Sequence, residues 1–331
     1  ENINLKNKNK EFENKLFYSY ELIGNSENIK NIKNQINKIS ISESRIFING
    51  PTGSGKELIA RKIHKESKRQ KGPFVVLNGA LLDIKKYELE LFGEEKDNAS
   101  ISYGALEKST GGILLIDEIS EIPLDTQSKI LRVLIDQKFK RINGTSDINV
   151  DVRIICSSSK DIKKEIEMGN FREDLYHRLN VLEINIDPLK KRVSDIPLLV
   201  EYFSDKVSEN YNLKKLDIDC NNNYLLNYDW PGNVRELRNL IERIAILSPD
   251  TSDKISNIIK ESLKTPDTQY TKSENSLSIP LKEARENFEK EYLTTQLKKF
   301  NGNISKTADF IGMERSALHR KLKGLGIKEL N

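Results

Sequence analysis

The chain alternates short, continuous runs of aliphatic and β-branched residues with longer stretches in which apolar positions recur three or four apart. The runs are RIFING (45–50), FVVLN (74–78), ILLID (113–117), VRIICSS (152–158) and VLEINI (181–186). A strand that is apolar on both faces needs cover on both, so such runs separated by helical stretches predict a buried parallel sheet flanked by helices. After Pro188 the strand signals stop. IPLLVEYFSDKVSENY and VRELRNLIERIAIL carry the helical period and predict a small all-helical subdomain ending near Lys260. KTPDTQYTKSENSLS (264–278), with its proline and its Thr, Ser and Asn, predicts a linker, and helical pattern returns from Pro280 to Ile327. Residues 1–18 are charged and Asn-rich with apolar Leu5, Phe12 and Leu16. The end of a linker helix and a frayed tail both fit them, and the linker is favoured.

Composition narrows the class. With 331 residues, 37% of them apolar and 31% charged, the chain has room for a sizeable core and is too apolar to be disordered throughout. Its 54 basic and 50 acidic residues leave +4, too little to announce a nucleic-acid partner unless the charge is clustered. Cys156 and Cys220 have no further thiol at a metal-ligand spacing, which fits a reducing, cytoplasmic setting. No apolar run approaches the 18 or so residues needed to cross a bilayer, and no membrane partner is expected. Residue 1 is Glu rather than Met, so a longer chain with something upstream is expected.

Between the first strand run and the helical stretch ELIARKIHKES lies GPTGSGKE (50–57). Gly50, Gly53 and Gly55 let the backbone wrap its N–H groups around phosphate, Lys56 adds a charge on the β and γ phosphates, and the helix adds its positive end. The strand–loop–helix context favours this reading over a plain Gly-rich turn. The pattern usually ends in Ser or Thr, a Mg²⁺ ligand, where this chain has Glu57. Downstream, ILLIDE ends a strand on Asp117 and Glu118. In ATP hydrolysis one such carboxylate holds Mg²⁺ through water and the next polarises the attacking water.

With both motifs in place, the sequence resembles the central AAA+ domain of bacterial enhancer-binding proteins, the sigma-54-interaction ATPases, from about Leu22 to Ala245 and again in the tail. Matching segments beyond the two motifs are ELFG (90–93), PLDTQSKILRVL (123–134), NFREDLYHRLN (170–180), PLKKRVSDIP (188–197) and DWPGNVREL (229–237). In that family the P-loop ends in Glu, so Glu57 supports the resemblance. The implied fold class is α/β, an AAA+ P-loop NTPase with a parallel sheet and a helical lid, followed by an all-α Fis-type helix-turn-helix domain. The expected organisation is a linker remnant over 1–18, an ATPase subdomain over 19–187, a lid over 188–261, a flexible linker over 262–279 and a DNA-binding domain over 280–331.

The resemblance implies that Gly50, Thr52, Gly53, Ser54, Gly55, Lys56, Glu57 and Leu58 hold ATP. By the same resemblance Asp117 serves Mg²⁺ through water and Glu118 is the catalytic base, held by Asn78 in a nucleotide-sensing switch. Arg235 matches the lid arginine, and Arg172 and Arg178 match arginines that reach the γ-phosphate of a neighbouring subunit. Surface ion pairs with Glu173, Asp174 or Glu236 are the alternative for these arginines. Arginines acting in trans require an oligomer, here a hexameric ring. Leu22, Ile23 and Gly24 match the adenine pocket, although core packing explains the two apolar side chains nearly as well. Ser157, Ser158 and Ser159 cover the first sensor without fixing which residue serves. Trp230 reads as a packing anchor.

One family feature is absent. Enhancer-binding proteins grip sigma-54 with a GAFTGA loop after ELFG, whereas this chain reads EEKDNASISY (94–103) and then GALE. The shortened interval resembles the NtrX branch of nitrogen-metabolism response regulators. It implies a two-component regulator addressed by a sensor kinase through a receiver domain upstream of residue 1, with sigma-54 a doubtful partner.

The tail NGNISKTADFIGMERSALHRKLKGLGI (301–327) reads as helix, Gly312, helix, with Ile304, Ala308, Ile311, Leu318 and Leu322 packing the pair. Between Gly302 and Lys328 six cations stand against two acids, so this short piece carries +4, as much as the entire chain. A helical hairpin with a solvated basic face is the bland alternative. The tail resembles the family's Fis-type module, which implies that Arg315, Ser316, His319 and Arg320 face the major groove of double-stranded promoter DNA. Lys306, Lys321 and Lys323 then lie nearer phosphates, and Ile279–Phe300 is the expected dimerisation helix. Three readings compete: an ATP-gated DNA-binding regulator, which leads; a sigma-54 activator with a degenerate loop; and an AAA+ enzyme acting on another substrate.

Overall fold

The five apolar runs form one parallel sheet. Numbering the strands of that sheet along the chain, β1 is Ile46–Asn49, β2 Phe74–Asn78, β3 Ile113–Asp117, β4 Arg153–Ser158 and β5 Leu182–Asn185, and their spatial order is β2-β3-β4-β1-β5. The computed structural model describes residues 21–81, 86–96, 100–211, 216, 218–247 and 252–263, then 289–290, 292–294, 296–297, 300 and 303–325. The expected linkers over 1–18 and 264–278, and much of the expected dimerisation helix, lie outside the described residues. Contacts divide the chain into two units, Glu1–Leu263 and Lys264–Asn331.

Side-chain alternation divides the sheet between two cores. Ile46 and Ile48 of β1, Ile113 and Leu115 of β3 and Ile155 of β4 pack under helix α1 (Glu27–Ile39) and helix α2 (Lys56–Glu66). Phe47, Leu114, Ile116, Ile154 and Cys156 face the other way, onto Ile130 of α3 (Leu124–Asp136) and Leu175 of α4 (Glu173–Leu179). The three central strands, β1, β3 and β4, are buried on both faces, which explains why they read as continuous apolar runs. Ser26 opens α1 by accepting from the Ile29 N–H at 3.4 Å. The last carbonyls of α1 are met by a buried arginine. Arg153 Nη2 donates to Ile39 O at 2.9 Å, Nη1 to Ser40 O at 3.3 Å and Nε to Ser44 O at 3.1 Å, and its burial lowers its pKa.

Past Pro188 the chain is helical. Helix α5 (Ile196–Tyr211) packs on α6 (Asn233–Leu247), and α6 in turn on α7 (Ser252–Ser262), around Leu199, Val200, Leu237, Ile241, Ile244 and Ile259. Trp230, 1% exposed, anchors the turn before α6, with its indole N–H on Leu225 O at 2.9 Å and Tyr228 edge-on at 5.1 Å. Two small antiparallel pairs, absent from the sequence reading, lie outside the main sheet: Gly93–Glu95 with Ile101–Tyr103, and Lys138–Phe139 with Ile148–Asn149. Lys96 N donates to Ser100 O at 3.0 Å, closing the first pair across a five-residue tip, 96–100. Arg141 braces that hairpin, with Nη1 2.8 Å from Glu95 at the tip end of its first strand and Nη2 2.6 Å from Glu107, which follows the second.

In the second unit, helix α8 (Ile304–Ile311) and helix α9 (Arg315–Gly324) are joined through Gly312 at φ 70° and close over Ala308, Leu318, Leu322, Leu293 and Leu297. Arg153→Met should lower the unfolding free energy of the first unit by about 2–3 kcal/mol, because three carbonyls lose their donor inside the protein. Urea titration of the variant against the wild type checks this.

Candidate functional site

The P-loop leaves the carboxyl end of β1 and enters α2, so it lies at the strand edge where open parallel sheets bind ligands. A loop that turns amide hydrogens inward must find donors for its carbonyls elsewhere. Here each carbonyl from Gly50 to Gly55 has one. Lys56 Nζ meets Gly50 O at 2.9 Å, Ser54 N meets Pro51 O at 3.2 Å, and Ile59 N meets Gly55 O at 3.1 Å. The three between come from the lid: Asn233 Nδ2 on Thr52 O at 3.0 Å, Arg235 N on Gly53 O at 3.3 Å and Arg192 Nη2 on Ser54 O at 3.5 Å.

Strand register assembles the acidic half. Asn78 stands opposite Asp117 across β2 and β3, while Ser157, one residue before the end of β4, lies beside them. Asp117 accepts from Ser157 Oγ and from Asn78 Nδ2, the latter at 3.3 Å. Burial pushes the Asp117 carboxyl up, with the Ser157 hydroxyl opposing. Glu118 leaves the strand in the left-handed region, at φ 53°. One of its oxygens lies 2.9 Å from Lys56 Nζ, and the other accepts from Ser159 N and Ser159 Oγ, each at 2.8 Å. Burial acts to raise the Glu118 carboxyl, but Lys56 and Ser159 outweigh it and hold it below its ordinary value. The expected Asn78–Glu118 contact is therefore not what the geometry shows. Asn78 holds Asp117, its register partner, and Ser159 holds the glutamate that has turned out of the strand. Of the three serines left open for the first sensor, Ser157 reaches Asp117, Ser159 reaches Glu118, and Ser158 is buried against Ser120 and Lys160.

A cavity of about 400 Å³ lies over these groups, lined by Leu22, Ile23, Thr52 to Leu58, Asp117, Glu118, Arg192, Phe203, Arg235 and Arg238. Its chemistry fits a nucleoside phosphate. Lys56 is 6% exposed, a helix N-terminus opens beside it, and the buried Ser54 Oγ has no hydrogen-bond partner. A lone strand-end carboxylate beside such a cradle also suits Mg²⁺, which prefers few protein ligands together with phosphate and water. Gly24 lies behind Leu22 and Ile23 with φ 140°, and a Cβ there would meet the Asp195 carboxylate at 2.7–2.8 Å. Asp195 in turn takes the N–H groups of Asn25 and Ser26 and the Ser26 hydroxyl, each at 2.7 Å. Glu57 lines the cavity wall and pairs with Arg61 at 2.7 Å.

Arg172 and Arg178 are exposed and do not line this cavity. Arg172 pairs with Asp174 at 2.7 Å, the surface ion pair weighed as its alternative, and Arg178 lends its carbonyl to Arg45 at 2.8 Å. In the second unit Lys306, Arg315, Ser316, His319 and Arg320 are exposed on the helix pair. Lys321 is half-buried and lies 2.9 Å from Glu289, which draws its charge from solvent; the Lys323 side chain lies outside the described residues. The sequence reading missed Arg192, Asp195, Asn233 and Arg238. The first three stand inside PLKKRVSDIP and DWPGNVREL, so the signal was present, but their partners are more than forty residues away in the chain.

Comparison with known proteins matches three family models in order: the Sigma-54 interaction domain over residues 22–185, the AAA+ ATPase lid domain over 190–275 and the bacterial regulatory protein, Fis family, over 284–325. The chain is 45% identical over 316 residues to the nitrogen assimilation regulatory protein NtrX of Azorhizobium caulinodans, covering 92% of this chain and 69% of that protein. It is similar to the crystal structure of NtrX from Brucella abortus in complex with ADP, at TM-score 0.74 and 43% identity, covering 98% of this chain and 73% of that one. The ATP complex of the same protein gives TM-score 0.73 and 42% identity over 98% and 72%.

Ser159→Ala removes one donor from the ionised Glu118. Its carboxyl should rise toward the ordinary carboxylate range, so its titration midpoint moves to higher pH. Carboxylate NMR titration of both proteins checks the direction.

Proposed function

The chain belongs to the sigma-54-interaction family of AAA+ transcription regulators, and on that premise we propose that it is an NtrX-like response regulator whose nucleotide site gates assembly on DNA. The observation that carries this reading is the pairing of an intact P-loop and acidic pair with a hairpin that closes across five residues, where other family members extend a sigma-54-gripping loop. The sequence between Lys96 and Ser100, three residues, is too short to carry the GAFTGA motif.

In this reading ATP lies in the P-loop cavity with its phosphates toward Lys56, and Leu22, Ile23 and Gly24 border the base. Asp117 would hold Mg²⁺, which would supply charge neutralisation at the phosphates. Glu118, kept ionised by Lys56 and Ser159, accepts a proton from the attacking water. Arg172 and Arg178, which are exposed and do not line the cavity of their own chain, serve the site of the next subunit in a ring. The exposed Arg315, Ser316, His319 and Arg320 read the major groove, with Lys306 on phosphates, in a dimer of the C-terminal units. A cytoplasmic location, a receiver domain upstream and a cognate sensor kinase complete the proposal. Among the described residues no helix is long and apolar enough to cross a membrane.

The match to the Sigma-54 interaction domain favours a second reading, a sigma-54 activator that spends ATP on remodelling polymerase. Glu118→Gln separates the two. An ATP-gated DNA binder should keep ATP bound, lose hydrolysis by at least about a hundredfold and hold promoter DNA as well as or better than the wild type. Loss of the regulatory effect together with hydrolysis, DNA binding being unchanged, supports the motor. The ATP-gated regulator keeps its effect on transcription in this variant, so mobility shift, phosphate release and transcription from the promoter together measure the three quantities. For the DNA surface, Arg315→Ala with Arg320→Ala should weaken promoter binding and flatten its dependence on salt by about two phosphate-equivalents at most. Fluorescence anisotropy at several salt concentrations checks this.

A further inference from the structure

Two residues of the turn before α6, Trp230 at φ 49° and Asn233 at φ 52°, hold left-handed backbone without being glycine. Trp230 is accounted for by its buried ring. Asn233 is 2% exposed and its side chain works in both directions: Nδ2 donates to Thr52 O in the P-loop at 3.0 Å, and Oδ1 accepts from Leu189 N at the start of the lid at 2.8 Å. The turn itself is braced, because Glu236 accepts from Gly232 N at 2.8 Å and from the Tyr228 hydroxyl at 3.1 Å. The P-loop rests directly on this turn. Gly53 has φ 76°, and a Cβ on it would lie 2.3 Å from Gly232 O.

A peptide unit is planar, so a donor fixed on the Thr52 carbonyl also fixes the direction of the Gly53 N–H on the opposite side of the same plane. We propose that Asn233 is a positioning residue that aims the Gly53 amide at the phosphates of the bound nucleotide and couples that aim to the seating of the lid through Leu189. The inference rests on the nucleotide-binding reading of the P-loop. It assigns phosphate affinity to a side chain that need not touch the nucleotide. Asparagine suits the position because it tolerates the left-handed region and carries a donor and an acceptor on one short amide.

The test uses the full chain with Asn233→Asp and Asn233→Gly. Aspartate keeps the size, the backbone tolerance and the acceptor for Leu189, but it turns an oxygen toward Thr52 O. Glycine removes both bonds and relaxes the backbone, so it carries the test if the aspartate variant does not fold, as judged by the Trp230 fluorescence melt. Calorimetric titration should show ATP and ADP binding weakened about tenfold or more in either folded variant, the scale of a lost hydrogen bond to a phosphate site. Adenosine, measured by competition, should bind as it does to the wild type. Wild-type affinity for ATP in a folded variant overturns the inference alone. An equal loss for adenosine also overturns it, since that is what general damage to the lid produces. A wild-type chain that binds no ATP overturns the nucleotide reading and this inference with it.

Discussion

A backbone loop that cradles an anion must turn its amide hydrogens inward, and every carbonyl it turns outward needs a donor. The arrangement of this protein's ATPase unit follows from how that need is met. Gly50 O is held by Lys56 and Gly55 O by the helix that the loop opens, but Thr52, Gly53 and Ser54 rely on Asn233, Arg235 and Arg192. All three donors belong to the lid region. The lid is thus part of the phosphate site, and its position and the shape of the cradle are two descriptions of one set of hydrogen bonds. Arg192 fits this picture: it is 2% exposed, its Nε has no hydrogen-bond partner, burial lowers its pKa, and its nearest carboxylate, Asp195, lies 3.8 Å away. A buried guanidinium so sparsely met is costly, and the geometry tolerates it where it secures the loop.

The acidic half obeys a different constraint, strand register. Parallel pairing sets Asn78 level with Asp117, and Ser157 of the next strand closes on the same carboxylate. Glu118 escapes that level only by entering the left-handed region, where Lys56 and Ser159 receive it. The two neighbouring carboxylates therefore sit in opposed environments. Burial pushes Asp117 up, whereas a cation and two donors hold Glu118 down and ionised.

The sheet was legible in the chain because its three central strands are buried on both faces and so read as unbroken apolar runs, as RIFING and ILLID do. The P-loop was legible because its chemistry is contiguous. What escaped was long-range: Asn233 reaches across 181 residues to Thr52, and Asp195 across 170 to Asn25, and no local pattern encodes such partners. The same limit hid the contact of Asn78 with Asp117, which depends on register, and the pairing of Lys321 with Glu289. The short hairpin was visible as missing residues, but the Arg141 clamp between Glu95 and Glu107 that makes it a finished structure was not.

The proposal that this chain does not remodel sigma-54 polymerase rests on that hairpin, and it is open to a direct measurement. The full chain should be mixed with sigma-54 and with ADP–aluminium fluoride, which mimics the phosphoryl transition state, and the mixture resolved by sedimentation velocity. Nucleotide-dependent assembly of this chain, with sigma-54 sedimenting by itself, is the predicted result. Co-sedimentation of sigma-54 with the assembled chain would contradict the account.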